Sequence, residues 1–357
     1  MDVISLFSGG GGLDLGFIRE GYNIVWAIDI NKNAVETYKK NIGNHIVCED
    51  INKVLIKEMP NCDVIIGGPP CQSFSLAGKR NMNDVRGELI WKYLEIIKIK
   101  QPSAFVFENV TGLLSAKNKT GRKVIDELTD AFTEIGYVLS KNIINAADYG
   151  VPQRRKRVFL IGLKEKLFVF PKPTHSDKDG TKKKYVSVKD ALSDLPNVES
   201  ENMHYSTEPM NYYQKIMREK GLTVTDQEVP TMSDLDKYII SHVKPGGNYR
   251  DIPDDVDSVR IKRLKKEGGR TTYYGRLNPD EPSYTINTYF NRPNVGCNIH
   301  YSQDRLITPR EALRLQGFPD SYEIVSKSKH DRNLIIGNAV PPILSQIIAK
   351  ELKNYVR

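Results

Sequence analysis

The chain has 357 residues, of which 39% are hydrophobic, so it can form one large domain or two smaller ones with a real core. The formal net charge of +8 fits an anionic partner such as nucleic acid, but it also fits a mildly basic protein without one. The four cysteines lack CxxC and Cys/His metal-ligand spacing, which argues against structural zinc and a disulfide framework, and no apolar run approaches the ~18–20 residues of a membrane span.

A glycine-rich turn connects the first predicted strand to the first predicted helix. The strand covers Val3–Phe7, and the turn Ser8–Gly12 leads into a helix that ends near Glu20. Glycine tolerates positive φ and lets a ligand approach the main chain closely. The spacing does not fit the dinucleotide fingerprint G-x-G-x-x-G well. The turn therefore predicts a nucleotide-type ligand without identifying it.

The second predicted strand, Asn23–Ile30, places an acidic residue, Asp29, near its carboxyl end. An acidic residue there typically hydrogen-bonds the hydroxyl groups of a ribose. The alternative is that Asp29 caps the helix that follows. Both interpretations stay open at this point.

A cysteine follows the next apolar strand. Cys62–Ile66 predicts a buried strand, and the stretch Gly67–Pro70 stops it abruptly, directly before Cys71. Open α/β sheets bind ligands at the carboxyl ends of their strands, and the two prolines restrict the main chain before the thiol. The alternative is an inert buried cysteine, which is the commoner case for this residue type.

The chain beyond Cys71 brings further polar groups to strand ends. A turn-rich stretch, 77–88, is predicted to be a mobile loop, and it precedes a helix over Leu89–Ile99. The strand Phe105–Phe107 ends at Glu108, and consecutive strands are usually neighbours, which would bring Glu108 close to Cys71. A single glutamate at a strand end is, however, more often solvated or a cap.

Two further strands and a helix complete the first half. The pattern predicts a helix over Lys123–Ile135 and strands over Tyr137–Ile144 and Val158–Gly162. The basic run Gln153–Arg157 precedes the last of these strands, and it fits either a solvated loop or a patch that contacts phosphates.

Residues 171–301 carry weaker signals. After a polar loop, Val186–Leu195 predicts a short helix, and little periodicity follows from Pro196 onward. The basic cluster Arg260–Lys266 is either a solvated helix face or a phosphate contact, with equal weight. Arginine and asparagine suit the donors and acceptors of base edges, which gives five candidate readers that the sequence does not rank: Arg276, Asn287, Asn291, Arg292 and Asn294.

The C-terminal part predicts two helices. Thr308 as N-cap, Pro309 at the first helical position and Glu311 three residues after the cap predict a helix that Gly317 terminates. A final helix is predicted over 343–355.

Taken in order, these segments resemble the motifs of the cytosine-C5 DNA methyltransferases of bacterial restriction-modification systems. The resemblance covers nearly all of residues 2–342 apart from the recognition region. It is carried by Phe7-x-Gly9-x-Gly11, Pro70-Cys71-Gln72, Glu108-Asn109-Val110, Gln153-x-Arg155-x-Arg157, Thr285-Ile286, the run 305–319 and Gly337-Asn338-x-Val340.

This resemblance implies an α/β fold of the class I S-adenosylmethionine-dependent methyltransferase type, with a Rossmann-like, mostly parallel sheet and a small inserted target-recognition domain. It implies a catalytic and cofactor-binding domain over 1–195 plus 325–357, and a recognition domain with hinge over 196–324.

The resemblance also implies which residues bind S-adenosyl-L-methionine. Asp29 stands where the family usually has glutamate, so its side chain is one methylene shorter. The predicted cofactor residues are Phe7, Ser8, Gly9, Gly11, Gly12, Leu13, Asp29, Ile30, Asp50, Ile51, Pro69, Leu89, Asn338 and Val340.

The implied chemistry centres on a cysteine nucleophile. Cys71 would add to C6 of a flipped-out cytosine, and Glu108 would supply a proton at N3. Arg155 would hold the base, and Arg157 would position Glu108 and the base edge. The predicted DNA-binding residues are Gln72, Ser75, Lys79, Arg80, Arg86, Gln153, Thr285 and Arg292.

The implied partner is double-stranded DNA. A restriction endonuclease could act on the same site without binding the chain, which is expected to be a monomer in the bacterial cytoplasm, associated with the nucleoid through DNA and not with a membrane. Two alternatives stay open: a tRNA cytosine-C5 methyltransferase, which shares these motifs, and a catalytically inactive DNA-binding relative.

Overall fold

The computed structural model describes residues 1–70, 88–118, 120–200, 203–218 and 223–356. The chain forms two units. Unit 1 comprises Met1–Asn145, Lys156–Pro173 and Pro342–Arg357, and unit 2 comprises Ala146–Arg155 and Thr174–Pro341. The predicted division at 195/196 and 324/325 thus differs from these bounds. Residues 174–195 belong to unit 2. The helix that begins at Val188 bonds to this unit, because Val188 N donates to Glu281 O at 2.9 Å.

The strands, in chain order, are β1 (Asp2–Leu6), β2 (Asn23–Asp29), β3 (Ile46–Cys48), β4 (Val64–Gly67), β5 (Ala104–Val110), β6 (Val138–Asn145), β7 (Gln153–Arg154), β8 (Lys156–Leu163), β9 (Gly275–Arg276), β10 (Ser283–Tyr284) and β11 (Cys297–Ile299). The α-helices are α1 (Gly12–Arg19), α2 (Lys32–Asn41), α3 (Glu88–Lys100), α4 (Val124–Glu134), α5 (Val188–Leu192), α6 (Tyr212–Met217), α7 (Asp234–Ser241), α8 (Val259–Glu267), α9 (Pro309–Leu315), α10 (Lys329–Asn338) and α11 (Pro342–Leu352).

A seven-stranded sheet with the order β3-β2-β1-β4-β5-β8-β6 forms the centre of unit 1. Its first five strands are parallel, and β8 runs antiparallel to both β5 and β6. The central strands are continuous apolar runs, such as Val64–Ile66 and 104–107, with no side-chain exposure. Such runs are expected where helices cover both faces of a parallel sheet. The predicted class I α/β fold is confirmed.

The two ends of the chain meet in unit 1, where α11 packs against α1. A Cβ on Gly16 would lie 2.3 Å from Gln346 N, so only glycine permits this approach of the helices. The hydroxyl of Ser345 donates to Leu13 O, and Tyr22 Oη donates to Ala349 O at 3.1 Å. The last helix thus returns to the N-terminal part of the chain.

Unit 2 contains little sheet, namely the pairs β7–β10 and β9–β11. Its short helices are fixed by caps, as in α9, where Thr308 Oγ1 accepts from Glu311 N and the Glu311 carboxylate accepts from Thr308 N. Pro309 opens this helix, and Gly317 follows it with φ of 80°. The predicted capping box is therefore confirmed. Among the described helices, none combines the length and the hydropathy that a bilayer span requires.

Candidate active site

The glycine-rich turn lies between β1 and α1, at the carboxyl end of the sheet. Phe7, Gly9 and Gly11 all have positive φ, of 56°, 56° and 85°. A Cβ on Gly11 would lie 2.1 Å from Ile42 Cδ1, so glycine is required there, whereas a Cβ on Gly9 would meet no atom within 4 Å. The turn is thus tightly packed at Gly11 and open at Gly9, where a ligand can approach the main chain.

Asp29 holds this turn in place. Its Oδ2 accepts from Gly9 N and its Oδ1 from Asn31 N, each at 2.8 Å. Burial raises the pKa of the Asp29 carboxyl, and these main-chain donors oppose that shift. The N-cap of α2 is Asn31, so the alternative that Asp29 caps this helix is wrong. The shorter aspartate is therefore close enough to the turn to fix its conformation.

The other predicted cofactor residues of unit 1 differ in their exposure. Ile30 is 71% exposed although it is apolar, whereas Ile51 is buried. Asp50 Oδ1 accepts from Asn52 N at 3.0 Å, Leu89 lies half-buried on α3 and Pro69 is buried two residues after the end of β4. An exposed isoleucine next to an open glycine turn fits the adenosine part of S-adenosylmethionine. The predicted residues Asn338 and Val340 follow in unit 2, the first exposed and the second buried.

A buried chain of hydrogen bonds runs behind the turn, and sequence reasoning missed it. Ser8 Oγ donates to Ser5 Oγ, and Ser5 Oγ donates to Asp14 Oδ2, both at 2.9 Å. Tyr38 Oη donates to Asp14 Oδ1 at 2.9 Å and lies 3.0 Å from His45 Nε2. Burial raises the pKa of Asp14 to about 6. An aspartate among the apolar positions of α1 was the signal that could have revealed this chain.

An ion pair lies at the ends of β5 and β8. Glu108 Oε1 is 3.0 Å from Arg157 Nε, and both side chains are almost entirely buried. The antiparallel register pairs Val110 with Arg157, which carries the guanidinium to the carboxylate. Burial lowers the pKa of Arg157, and the charge of Glu108 opposes this shift. The pair therefore presents one fixed carboxylate at the end of the strand next to β4.

The segment that leads to Cys71 lies beside this carboxylate. A Cβ on Gly68 would be 2.8 Å from Glu108 Oε2. Asn109 Nδ2 donates to Pro69 O at 3.0 Å and so fixes the segment before Cys71 to β5. The first range of described residues ends at Pro70, and description resumes at residue 88. The predictions for Cys71, Gln72, Ser75, Lys79, Arg80 and Arg86 fall outside the described residues.

Two of the three described cysteines are poor candidates for a nucleophile. Burial raises the pKa of Cys62 and of Cys297 to about 12 in each case, so both thiols stay protonated at neutral pH. Cys48 is exposed at the end of β3.

Two members of the basic motif are buried in unit 2. Arg155 has no exposed surface, and its guanidinium donates to Ile286 O at 3.0 Å and Gly337 O at 2.8 Å. Gln153 is equally buried, with its amide nitrogen donating to Leu315 O and its amide oxygen accepting from Ile286 N. Here the structure departs from the roles predicted at the target base and at DNA, because these polar groups already bind the main chain.

The two remaining predicted DNA contacts in unit 2 have exposed side chains. Thr285 follows β10, and its hydroxyl donates to Arg154 O at 2.8 Å. Arg292 lies on the loop that follows, with its guanidinium near the ring of Tyr289.

Comparisons with known proteins identify the family of the chain. A model of the C-5 cytosine-specific DNA methylases matches residues 1–354. The chain is 36% identical to the type II methyltransferase M.NgoFVII of Neisseria gonorrhoeae, over 95% of this chain and 83% of that relative. It is 35% identical to the type II methyltransferase M.DdeI of Desulfomicrobium norvegicum, over 99% and 89%. Among solved structures, a prophage-encoded E. coli protein described as a DNA modification methyltransferase aligns over 99% of both chains with a TM-score of 0.75 and 27% identity.

Proposed function

The chain belongs to the C-5 cytosine-specific DNA methylases, and on this premise we propose that it methylates C5 of a flipped-out cytosine in one specific duplex sequence through a bond between Cys71 Sγ and C6 of the base. The substrate cytosine lies inside a duplex stack, so it must leave the stack before a side chain can reach C6. The Glu108–Arg157 pair beside Gly68 is the observation that carries this proposal, because it sets an oriented carboxylate next to the start of the Cys71 loop.

Cys71 acts as the nucleophile. Its thiolate adds to C6, which makes the ring enamine-like and turns C5 into a carbon nucleophile. Bound S-adenosylmethionine supplies the methyl group that C5 accepts. A base then removes the proton from C5, and the Cys71–C6 bond breaks.

Glu108 and Arg157 stabilise the charge that develops on the ring. Glu108 lies at the N3 edge of the base and shares a proton with it, while Arg157 holds the carboxylate in place. A guanidinium has more N–H donors than this contact uses, and we assign further donors of Arg157 to O2 of the base. The role at the base predicted for Arg155 passes to Arg157, because Arg155 is buried and bonds main-chain carbonyls.

The cofactor is held by the turn at Gly9 and Gly11, by Asp29 for the ribose and by the exposed face of Ile30 for the adenine. The family resemblance also implies Asn338 and Val340 as cofactor residues. Double-stranded DNA is the partner, and we place the protein in the bacterial cytoplasm at the nucleoid, as a monomer, with any restriction endonuclease acting separately on the same site.

A transfer assay tests the substrate. Purified protein with labelled S-adenosylmethionine should methylate mixed-sequence duplex DNA and leave a tRNA pool unlabelled. Bisulfite sequencing of DNA from cells that express the protein should then show methylcytosine at one sequence. Labelled tRNA with unlabelled DNA would establish the RNA alternative, and no transfer to either, with the cofactor bound, would establish an inactive relative.

A further inference from the structure

The five candidate base readers of unit 2 differ in what their side chains already contact. Arg276 is buried, and its guanidinium donates to main-chain carbonyls and to a carboxylate, those of Ile240, Val243, His300, Gln303 and Asp304. Asn287 donates to Val295 O and accepts from Tyr289 N at 2.7 Å. Both residues therefore maintain the fold of unit 2. Asn291 and Asn294 are half-buried, whereas Arg292 is exposed.

Arg292 lies on a loop, residues 287–296, whose main chain is fixed at several points. Asn298 Nδ2 donates to Arg292 O at 3.1 Å, and Tyr274 N donates to Pro293 O at 2.9 Å. The side chain of Phe290 is fully buried. Contacts with the interior of unit 2 therefore fix this loop, so the main chain at Arg292 has a defined position.

The guanidinium of Arg292 is oriented by an aromatic ring. Its central carbon lies 5.0 Å from the centroid of the Tyr289 ring, and Tyr289 is itself 43% exposed. An arginine within ~6 Å of an aromatic ring centroid is attracted to its π-face. Such stacking restricts the guanidinium without using its N–H donors, so those donors can meet a ligand at a small entropic cost.

We propose that Arg292 reads a guanine of the recognition sequence and that Tyr289 is the positioning residue that holds its guanidinium. This inference rests on the proposed function, because it requires a DNA substrate. Arginine in bidentate contact with O6 and N7 of guanine is the commonest specific base contact in the major groove. A restrained planar fork suits that contact.

The experiment measures methylation of a duplex library that is randomised around the wild-type site, read by bisulfite sequencing. Arg292→Gln and Arg292→Lys should both lose discrimination at a single G·C pair by roughly 5- to 150-fold, since neither side chain forms the bidentate contact. Tyr289→Leu should lose part of it. Arg250→Gln is the matched control, because Arg250 is an exposed arginine of unit 2 with its guanidinium 5.9 Å from the Tyr249 ring, and it should keep wild-type specificity.

Two results would overturn the inference. One is unchanged specificity in both Arg292 variants while their methylation persists. The other is uniform weakening across all sequences, with a salt slope of DNA binding reduced by about one in Arg292→Gln and retained in Arg292→Lys, which identifies a phosphate contact. Failure of the wild type to methylate any duplex is a separate outcome that overturns the proposed function itself. Unchanged thermal unfolding and cofactor affinity of the variants would exclude misfolding.

Discussion

Each of the two units is stabilised internally by a different kind of interaction. In unit 1 the main chain of the sheet bonds to itself, and its core is apolar. Unit 2 has little regular sheet, and its carbonyl groups are satisfied by buried arginines. Arg314, fully buried on α9, donates to Ala191 O and to the carboxylates of Asp194 and Asp320. Arg310 on the same helix donates to three main-chain carbonyls, those of Thr225, Pro319 and Tyr322.

This difference explains how irregular chain can be buried. A carbonyl that has no strand neighbour must still find a donor, and a guanidinium offers several donors from one side chain. Unit 2 thereby gains freedom to present loops, but it depends on charges whose partners must all be present. Unit 1 supplies the fixed strand ends at which we place the chemistry.

The largest expected effect tests whether the chemistry belongs to unit 1. Glu108→Gln removes the proton-sharing carboxyl, so the rate of methyl transfer should fall by ~10²–10⁴. Cofactor affinity should change little. The matched control is Glu36→Gln, which alters an exposed ion pair with Lys39 on α2 and should keep the wild-type rate. A wild-type rate in Glu108→Gln would make this residue structural.

The next effect tests the dependence of unit 2 on buried charge. Arg314→Met leaves the carboxylates of Asp194 and Asp320 without this partner in the interior, and it should lower the free energy of unfolding by about 3–5 kcal/mol. Arg263→Met is the control, because Arg263 forms an exposed pair with Glu267 on α8 and should cost at most about 1 kcal/mol. Urea unfolding measures both. Equal costs would contradict the dependence of unit 2 on its buried charges.

Asp14 of unit 1 is a fully buried carboxyl that accepts hydrogen bonds from Ser5 and Tyr38. Its pKa is about 6 in the folded protein against an ordinary 3.8, so the folded state binds this proton more tightly than the unfolded state. Stability is therefore lost as pH rises from about 4 to about 6, by roughly 3 kcal/mol. Asp14→Asn removes this loss.

Urea unfolding of both proteins between pH 4 and pH 7 measures that effect. The stability of the wild type relative to Asp14→Asn should decrease across this range and level off above pH 6. The lowered pKa of His45 gives an opposite trend, and because His45 contacts Asp14 through Tyr38, both proteins are also measured with His45→Gln. A difference that does not depend on pH would mean that Asp14 is not buried as a neutral acid.

The smallest effect concerns the surface of unit 2. In the α8 cluster, Lys262 pairs with Asp257 and Lys265 with Asp254, which favours the solvated-face interpretation over phosphate contacts. Four phosphate contacts would reduce the salt slope of DNA binding by about 3.6 when they are removed. We expect a reduction of less than about 2 when Lys262, Arg263, Lys265 and Lys266 are all changed to glutamine. Filter binding to non-cognate duplex at several salt concentrations decides this.

The difference between the two units also explains which elements could be predicted from the sequence. The strands of unit 1 were predictable because parallel strands are uninterrupted apolar runs, as at Val64–Ile66. No bounds were predicted for the helix α2, although its buried positions Ala34, Val35 and Tyr38 follow helical spacing. In unit 2 the decisive contacts join distant residues, as Arg155 does with Gly337. No local pattern reports such a contact.

Some residues of the candidate site could be located from the sequence, and others could not. Glu108 and the glycine turn could be located because strand ends and glycines are visible in the sequence. The distinction between Arg155 and Arg157 could not, because these residues are only two positions apart yet belong to different units, and their roles differ through the partners that each guanidinium contacts.

The covalent role of Cys71 is the central claim, and trapping of the adduct tests it most directly. A duplex with 5-fluorocytosine at the methylated position and S-adenosylmethionine should react as far as methyl transfer and then stop, because fluorine cannot leave C5 as a proton. The adduct should survive denaturing electrophoresis, require the cofactor and map by mass spectrometry to the peptide that contains Cys71. Cys71→Ser should form none, and Cys48→Ser, which changes an exposed cysteine, should form as much as wild type. Protein that methylates normal DNA but never forms this adduct would contradict the thiolate mechanism.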